Sequence, residues 1–240
     1  MFADRLKFIS EKIRAASARS PFKSKQAVRL VAVSKTHPPE SILEALENGV
    51  TVFGENRVQE AKAKILRLPT RCHWHFIGHL QKNKIRQALP LFELIHGVDS
   101  LAIARDIDRI ASETGLFPKI LLEVNVAGEQ TKFGFAPERV HSEMKELRQL
   151  PRLQIEGLMT IPPPAASPEG SRKHFVALRK LRDTLEADFA LSLPELSMGM
   201  SEDFEVAIEE GATLVRIGTA LFGDRSGKTW RPEEPDSLDD

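Results

Sequence analysis

The sequence predicts an α/β protein, a single (β/α)₈ barrel with an extra helix at its N-terminus. Three observations carry that prediction. Eight short apolar runs alternate with stretches of helical spacing along the whole chain, the rhythm of a barrel of parallel strands. The 240 residues, 41% hydrophobic and 28% charged, are enough for one large core, and α/β barrels of this length are commonly one domain. An open doubly wound sheet, the alternative, usually follows its first strand with a glycine-rich loop, and this chain has Lys35-Thr36-His37-Pro38-Pro39 there instead. The barrel is expected over residues 1–223. Residues 224–240, rich in Pro and Asp, are expected to form a loosely held tail.

The elements follow in order. Phe2, Leu6, Ile9, Ile13 and Ala16 mark one face of the extra helix. Strands are expected at 29–34, 50–53, 73–77, 94–98, 120–126, 154–160, 195–198 and 214–217. Pro39 opens a helix over 40–48, and Gly49 follows as a left-handed stop. Asp99 or Ser100 caps 101–114, where Leu101, Ala104, Ile107 and Ala111 share a side. Pro137 begins a helix running through Leu150. Ser167-Pro168-Glu169 supplies an N-cap, a first-turn proline and a first-turn acid for a helix over 170–187. The proline-rich stretch 161–168 follows a strand and is short, so it is expected as a stiff loop at the barrel mouth.

Composition excludes several classes of function. Lys plus Arg equals Asp plus Glu at 34 each, which leaves no electrostatic case for nucleic acid or an anionic membrane. No apolar run approaches a membrane span, and no signal peptide is visible. The single Cys72 cannot form an internal disulfide, which fits a reducing, cytoplasmic compartment. Cys72, His73 and His75 lie close together, but further ligands at metal-site spacing are missing, so no metal is expected.

Lys35 carries the first chemical signal. Along the first strand Val31, Val33 and Lys35 share one face. An amine on the apolar face of a buried strand is partly desolvated, which favours its neutral, nucleophilic form and hence imine formation with an aldehyde. The second signal lies at the other end of the barrel. Leu196-Ser197-Met198-Gly199-Met200-Ser201 and Arg216-Ile217-Gly218-Thr219 each read as a strand, a small turn and a helix start bearing a hydroxyl. Together they form an anion cradle where barrels commonly hold phosphate. Closure places strand eight beside strand one, so Lys35 neighbours Arg216 and the cradle. A ligand with both aldehyde and phosphate is specified: pyridoxal 5′-phosphate, or a sugar phosphate in an imine-forming aldolase.

Several segments match a known family. They include Val33-Ser34-Lys35-Thr36, Phe53-Gly54-Glu55-Asn56-Arg57, His75-Phe76-Ile77-Gly78-His79, Lys132-Phe133-Gly134, Gly157-Leu158-Met159-Thr160 and the two cradle motifs. From about Ala27 to Gly223 the chain resembles the pyridoxal phosphate homeostasis proteins, whose barrel is similar to the N-terminal domain of alanine racemase. The resemblance implies pyridoxal 5′-phosphate as cofactor and Lys35 as the imine lysine. It also implies Asn56 near the ring, Met198 and Ser201 lining the pocket, Ser201, Gly218 and Thr219 at the phosphate, and Arg216 near the pyridine nitrogen. His79 stands where the family motif varies and receives no role.

A carrier without catalysis is expected, a monomer that buffers the cofactor in the cell and delivers it to apo enzymes. Two-base racemisation in alanine racemase needs a tyrosine from a partner's second domain. This chain contains no tyrosine, and a guanidinium beside the pyridine nitrogen opposes its protonation and weakens the ring as an electron sink. The alternatives are a weak amino-acid racemase or lyase, or a sugar-phosphate aldolase. An aldolase would need a carboxylate and a second lysine facing the imine. Glu55, Asp99, Glu123 and Lys132 lie near strand ends, and parity alone does not decide which of them face inward.

Overall fold

A computed structural model describes residues 1–22, 27–129, 132–223 and 230. Eight parallel strands close into a barrel in sequence order, β1 (Arg29–Val33), β2 (Val52–Glu55), β3 (His73–Phe76), β4 (Leu94–Val98), β5 (Lys119–Glu123), β6 (Gln154–Met159), β7 (Glu195–Ser197) and β8 (Leu214–Ile217). The closing pair is β1 with β8, which sets Val31 beside Arg216 and Ala32 beside Ile217. All eight predicted strands are present. The second starts two residues later than expected and ends at Glu55, and the fifth stops at Glu123, three residues short.

Alternation along each strand sorts the side chains into two layers. Val31, Leu94, Leu121, Met159 and Leu214 form a small apolar cluster inside the barrel. Ala32, Phe53, Phe76, Ile95, Leu122, Leu158 and Val215 face the other way and join the large core beneath the helices. Those helices are α1 (Phe2–Arg19), α2 (Pro39–Glu47), α3 (Val58–Ile65), α4 (Ile85–Ala88), α5 (Leu101–Thr114), α6 (Pro137–Leu147), α7 (Arg172–Phe189), α8 (Phe204–Glu209) and α9 (Thr219–Phe222).

Local chemistry sets their ends. Ser100 caps α5 by accepting the Ile103 N–H at 3.3 Å, and Gly115 stops it in the left-handed region at φ 72°. Pro39 opens α2 and Pro137 opens α6. The expected helix over 170–187 divides into a 3₁₀ turn, Pro168–Ser171, followed by α7. The helix from Pro137 ends at Leu147 instead of Leu150.

The extra helix α1 buries Phe2, Ile9 and Ala16. It lies across the last two helices of the barrel. Arg5 donates through Nε to Leu221 O (2.7 Å) and through Nη2 to Phe222 O (3.1 Å), while Lys12 pairs with Glu205 (2.5 Å) and Arg19 with Glu209 (2.8 Å). Each carbonyl at the C-terminus of α9 has few partners of its own, so the Arg5 fork completes that end. The expected tail falls outside the described residues except for Trp230, whose N–H donates to Thr36 O at 3.0 Å.

Candidate functional site

A cavity of about 930 Å³ opens at the C-terminal ends of the strands. Six of the seven residues expected from the sequence line it: Lys35, Asn56, Ser201, Arg216, Gly218 and Thr219. Lys35 follows Val31 and Val33 on the inward parity of β1, with Val31 in the interior cluster and Val33 on the cavity wall. Met198 is the correction. It is completely buried in the outer core and is not on the cavity wall. Ser197 before it faces the barrel interior, so alternation turns Met198 outward, and Met200 lines the cavity instead. The proline-rich loop 161–168 lines the mouth as expected.

The expected anion cradle is formed by two loops that brace one another. Gly199 has φ 90°, and a Cβ there would lie 2.6 Å from Ala207 Cβ and 2.9 Å from Phe204 Cα, so only glycine makes this turn out of β7. The turn is then fixed by Asp203, whose Oδ1 accepts the Met200 N–H at 2.8 Å. Ser201 Oγ accepts the Ala220 N–H at 3.4 Å and so links the β7 loop to the first turn of α9. Gly218 brings the β8 loop against β1, since a Cβ there would sit 3.4 Å from Val33 Cβ. The Asp203 and Phe204 N–H groups are taken by Met200 O at 3.2 and 2.9 Å, so the wall itself is the main chain at Ser201, Gly218 and Thr219 with the hydroxyls of Ser201 and Thr219.

Arg216 is buried beneath the cradle and held from two sides. Nη1 donates to Ser197 Oγ at 2.5 Å and Nη2 to Thr160 O at 2.9 Å. These bonds use two of its five N–H groups, and the guanidinium also lines the cavity. Burial lowers its pKa to about 10, opposed by the carboxylates of Glu123 and Asp203, so it is a cation at neutral pH. Below it a polar column descends through the barrel. Ser197 Oγ lies 2.8 Å from His96 Nδ1, and His96 Nε2 lies 3.0 Å from His75 Nδ1. Burial, first of all, drives both imidazoles toward neutrality, His75 to about 3 and His96 well below its ordinary value. With Arg216 donating to Ser197, the arrangement that uses every group has Ser197 donating to His96 and His96 donating to His75.

Glu123, at the end of β5, faces the same cavity from the opposite side of the barrel to Lys35. It is 8% exposed, and no hydrogen bond or ion pair to its carboxylate occurs among the described residues. Burial raises its pKa to about 7, with the Asp99 charge adding to the rise and Arg216 opposing it. Asp99 itself is paired with His79 (2.8 Å), and the His79 ring stacks on Phe133 with centroids 3.7 Å apart. Lys132 also lines the cavity and pairs with Glu129 at 2.9 Å.

A carboxyl with a raised pKa favours folding in its protonated form, so its stability cost grows as pH rises from about 4.5 to about 7 and is constant above. Glu123→Gln removes that cost. Its stability relative to the parent protein should therefore rise by about 2.5 kcal/mol between pH 5 and pH 8 in urea unfolding of the cofactor-free protein. A difference between variant and parent that does not change with pH would mean Glu123 is not buried as described.

Glu123 and Met200 were not assigned a role from the sequence. The signal for Glu123 was its two-residue spacing from Leu121, which lies in the interior cluster. For Met200 the left-handed turn at Gly199 hid the parity. At the opposite end of the barrel, Cys72 is buried and its thiol pKa is raised by burial, while His73 pairs with Glu93 at 2.7 Å. Among the described residues no three His, Cys, Asp or Glu side chains are placed to hold a metal ion, and no helix is long and apolar enough to cross a membrane.

Comparison with known proteins fits this geometry. The alanine racemase N-terminal domain matches residues 6–226. A pyridoxal phosphate homeostasis protein of Aquifex aeolicus is 45% identical over 223 residues, covering 92% of this chain and 97% of its own. The human protein of the same name is 37% identical over 92% of this chain and 85% of its own. Among solved structures, PipY of Synechococcus elongatus with PLP bound superposes with a TM-score of 0.81 at 40% identity, over 93% of this chain and all of that one. An alanine racemase of Clostridium difficile, 19% identical with a TM-score of 0.72 over 95% of this chain and 59% of its own, shares the fold. Matches of this extent on a closed eight-stranded barrel show that the chain belongs to the pyridoxal phosphate homeostasis protein family.

Proposed function

We propose that this protein binds pyridoxal 5′-phosphate at the barrel mouth, holds it covalently through Lys35, and buffers and delivers it within the cell. The observation that carries the proposal is that one cavity is lined by a lysine, a buried arginine and two braced strand–helix loops. These residues fit the parts of the cofactor. The Lys35 amine suits its aldehyde, with which it would condense with loss of water. The β7 and β8 loops, with Ser201, Gly218 and Thr219, suit its phosphate. Arg216, a cation held by Ser197 and Thr160 O, suits the pyridine nitrogen in its unprotonated state. Asn56 completes the wall beside β2. The bound group supplies an electrophilic carbon and a conjugated ring; the chain's own residues hold, orient and shield it.

The names of the relatives support a homeostatic role, and the PLP-bound PipY supports the ligand. A carrier is favoured over a racemase because the chain has no tyrosine to act as a second base and Arg216 is held as a cation. One observation favours an aldolase or another enzyme as a second reading: Glu123 and Lys132, a carboxylate and a second lysine, both line the cavity.

The test has two arms. Borohydride reduction of the loaded protein should fix a pyridoxyl group on the peptide containing Lys35, and Lys35→Ala should abolish this while retaining some cofactor through the phosphate wall. The loaded protein should then reactivate an unrelated apo enzyme without exchanging the α-hydrogen of alanine in heavy water. Labelling of Lys132 would overturn the assignment of Lys35. Rapid exchange with multiple turnovers would replace the carrier by an enzyme.

A further inference from the structure

Lys64, in α3, is completely buried and does not line the cavity. Its ammonium donates to Ser34 O at 2.8 Å, to Glu55 Oε1 at 2.7 Å and to Glu60 Oε1 at 2.7 Å. Glu60 Oε1 also accepts the Thr36 N–H at 2.5 Å, and Glu55 Oε1 accepts from Ser34 Oγ at 2.6 Å. The two residues flanking Lys35 are therefore tied to one ion cluster. The ring of Trp230 lies 5.3 Å from the Lys64 ammonium, and the Trp230 main-chain N–H donates to Thr36 O.

Thr36 has φ 68°, a left-handed conformation that a β-branched residue disfavours by about tenfold or more in population. Something must hold it there, and the bonds to Thr36 N and Thr36 O are the restraints. A buried ion cluster is a poor way to gain stability, because packed apolar side chains of similar volume often do as well or better. One that fixes the main chain on both sides of a single functional residue has another use.

We propose that Lys64 is a positioning residue for Lys35: with Glu60 it fixes the main chain on both sides of Lys35, including the left-handed turn at Thr36, and so presents the Lys35 amine to the cavity. The proposal rests on the reading that Lys35 is the residue bonded to the cofactor.

The experiment compares the parent protein, Lys64→Met, and Lys64→Met with Thr36→Gly. In the cofactor-free proteins, amide exchange at Thr36 reads whether the turn is held. On adding pyridoxal 5′-phosphate, borohydride quenching at timed intervals reads covalent attachment at Lys35, and rapid filtration before reduction reads total cofactor retained. Lys64→Met should speed exchange at Thr36 and slow attachment by on the order of ten- to a hundredfold, with total retention within about threefold because the phosphate wall is unchanged. Glycine carries no left-handed penalty, so the double variant should recover about tenfold of the attachment rate.

Should Lys64→Met fail to fold, Glu60→Met leaves a neutral Lys64–Glu55 pair while removing the acceptor at Thr36 N, and the same slowing is expected. Attachment at the parent rate in either variant would overturn the proposal, as would slowing that Thr36→Gly does not relieve. If the parent protein itself is never labelled at Lys35, the cofactor reading fails instead. Thr36 exchange then still decides whether Lys64 holds the turn.

Discussion

Pyridoxal without its phosphate is expected to bind this protein weaker than pyridoxal 5′-phosphate by a factor on the order of a thousand or more. The expected phosphate wall offers the main chain at Ser201, Gly218 and Thr219 and the hydroxyls of Ser201 and Thr219, on loops braced by the Asp203–Met200 and Ser201–Ala220 bonds. Hydrogen bonds to a charged phosphate are worth about 1.5–3 kcal/mol each, and three of them suffice for such a factor even at the low end. Absorbance titration of the cofactor-free protein with both vitamers measures it directly. Ser201→Ala should weaken the phosphorylated form by about tenfold and leave pyridoxal unchanged. Equal affinities would remove Ser201, Gly218 and Thr219 from the phosphate site. If Ser201→Ala weakened both forms alike, the serine would be acting through the Ala220 bond on the loop and not on the phosphate.

Much of this site was legible in the sequence because barrels convert strand order into position. Once eight strands were counted, closure placed Lys35 on β1 beside Arg216 on β8, and the register pairs Val31 with Arg216 and Ala32 with Ile217. Parity along β1 carried Lys35 inward from Val31 and Val33. It failed at Met198, which was given to the pocket from the resemblance although alternation from Ser197 turns it outward. Parity was also insufficient for Glu55 and Glu123, both strand-end carboxylates. Glu55 turns outward to the Lys64 cluster, where burial raises its pKa, whereas Glu123 turns into the cavity. The Lys64 network was not visible at all. Its members lie on β1, β2 and α3, and a lysine at an i, i+4 spacing from Glu60 reads in a sequence as an exposed helix pair. The histidine column was equally hidden, because His75 and His96 meet only when β3 and β4 pack side by side.

That column makes the fold acid-sensitive in a specific window. A histidine whose folded pKa lies below its unfolded value of about 6.5 adds stability above that pH and loses it as the pH falls. His75 at about 3 therefore gives up on the order of 5 kcal/mol between pH 6.5 and 3, and His96, depressed for the same reason, acts in the same direction. Each histidine adds a slope of about 1.4 kcal/mol per pH unit below about pH 6. Glu123 works against them from 7 down to 4.5, where its protonation restores stability. The trends partly cancel in the parent protein, so the measurement uses Glu123→Gln, which removes one opposing carboxyl, while Glu55, also raised by burial, still subtracts from the histidine slope. Urea unfolding of that variant at pH 4.5, 5, 5.5 and 6 should give a slope of up to about 2.7 kcal/mol per pH unit if both imidazoles are held neutral, reduced by whatever Glu55 contributes. Adding His75→Gln, which keeps an acceptor for His96 Nε2, should cut the slope by about 1.4 kcal/mol per pH unit. A slope unchanged by that substitution would show that acid sensitivity arises elsewhere. The reading of His75 and His96 as a column of neutral imidazoles would then have to be abandoned.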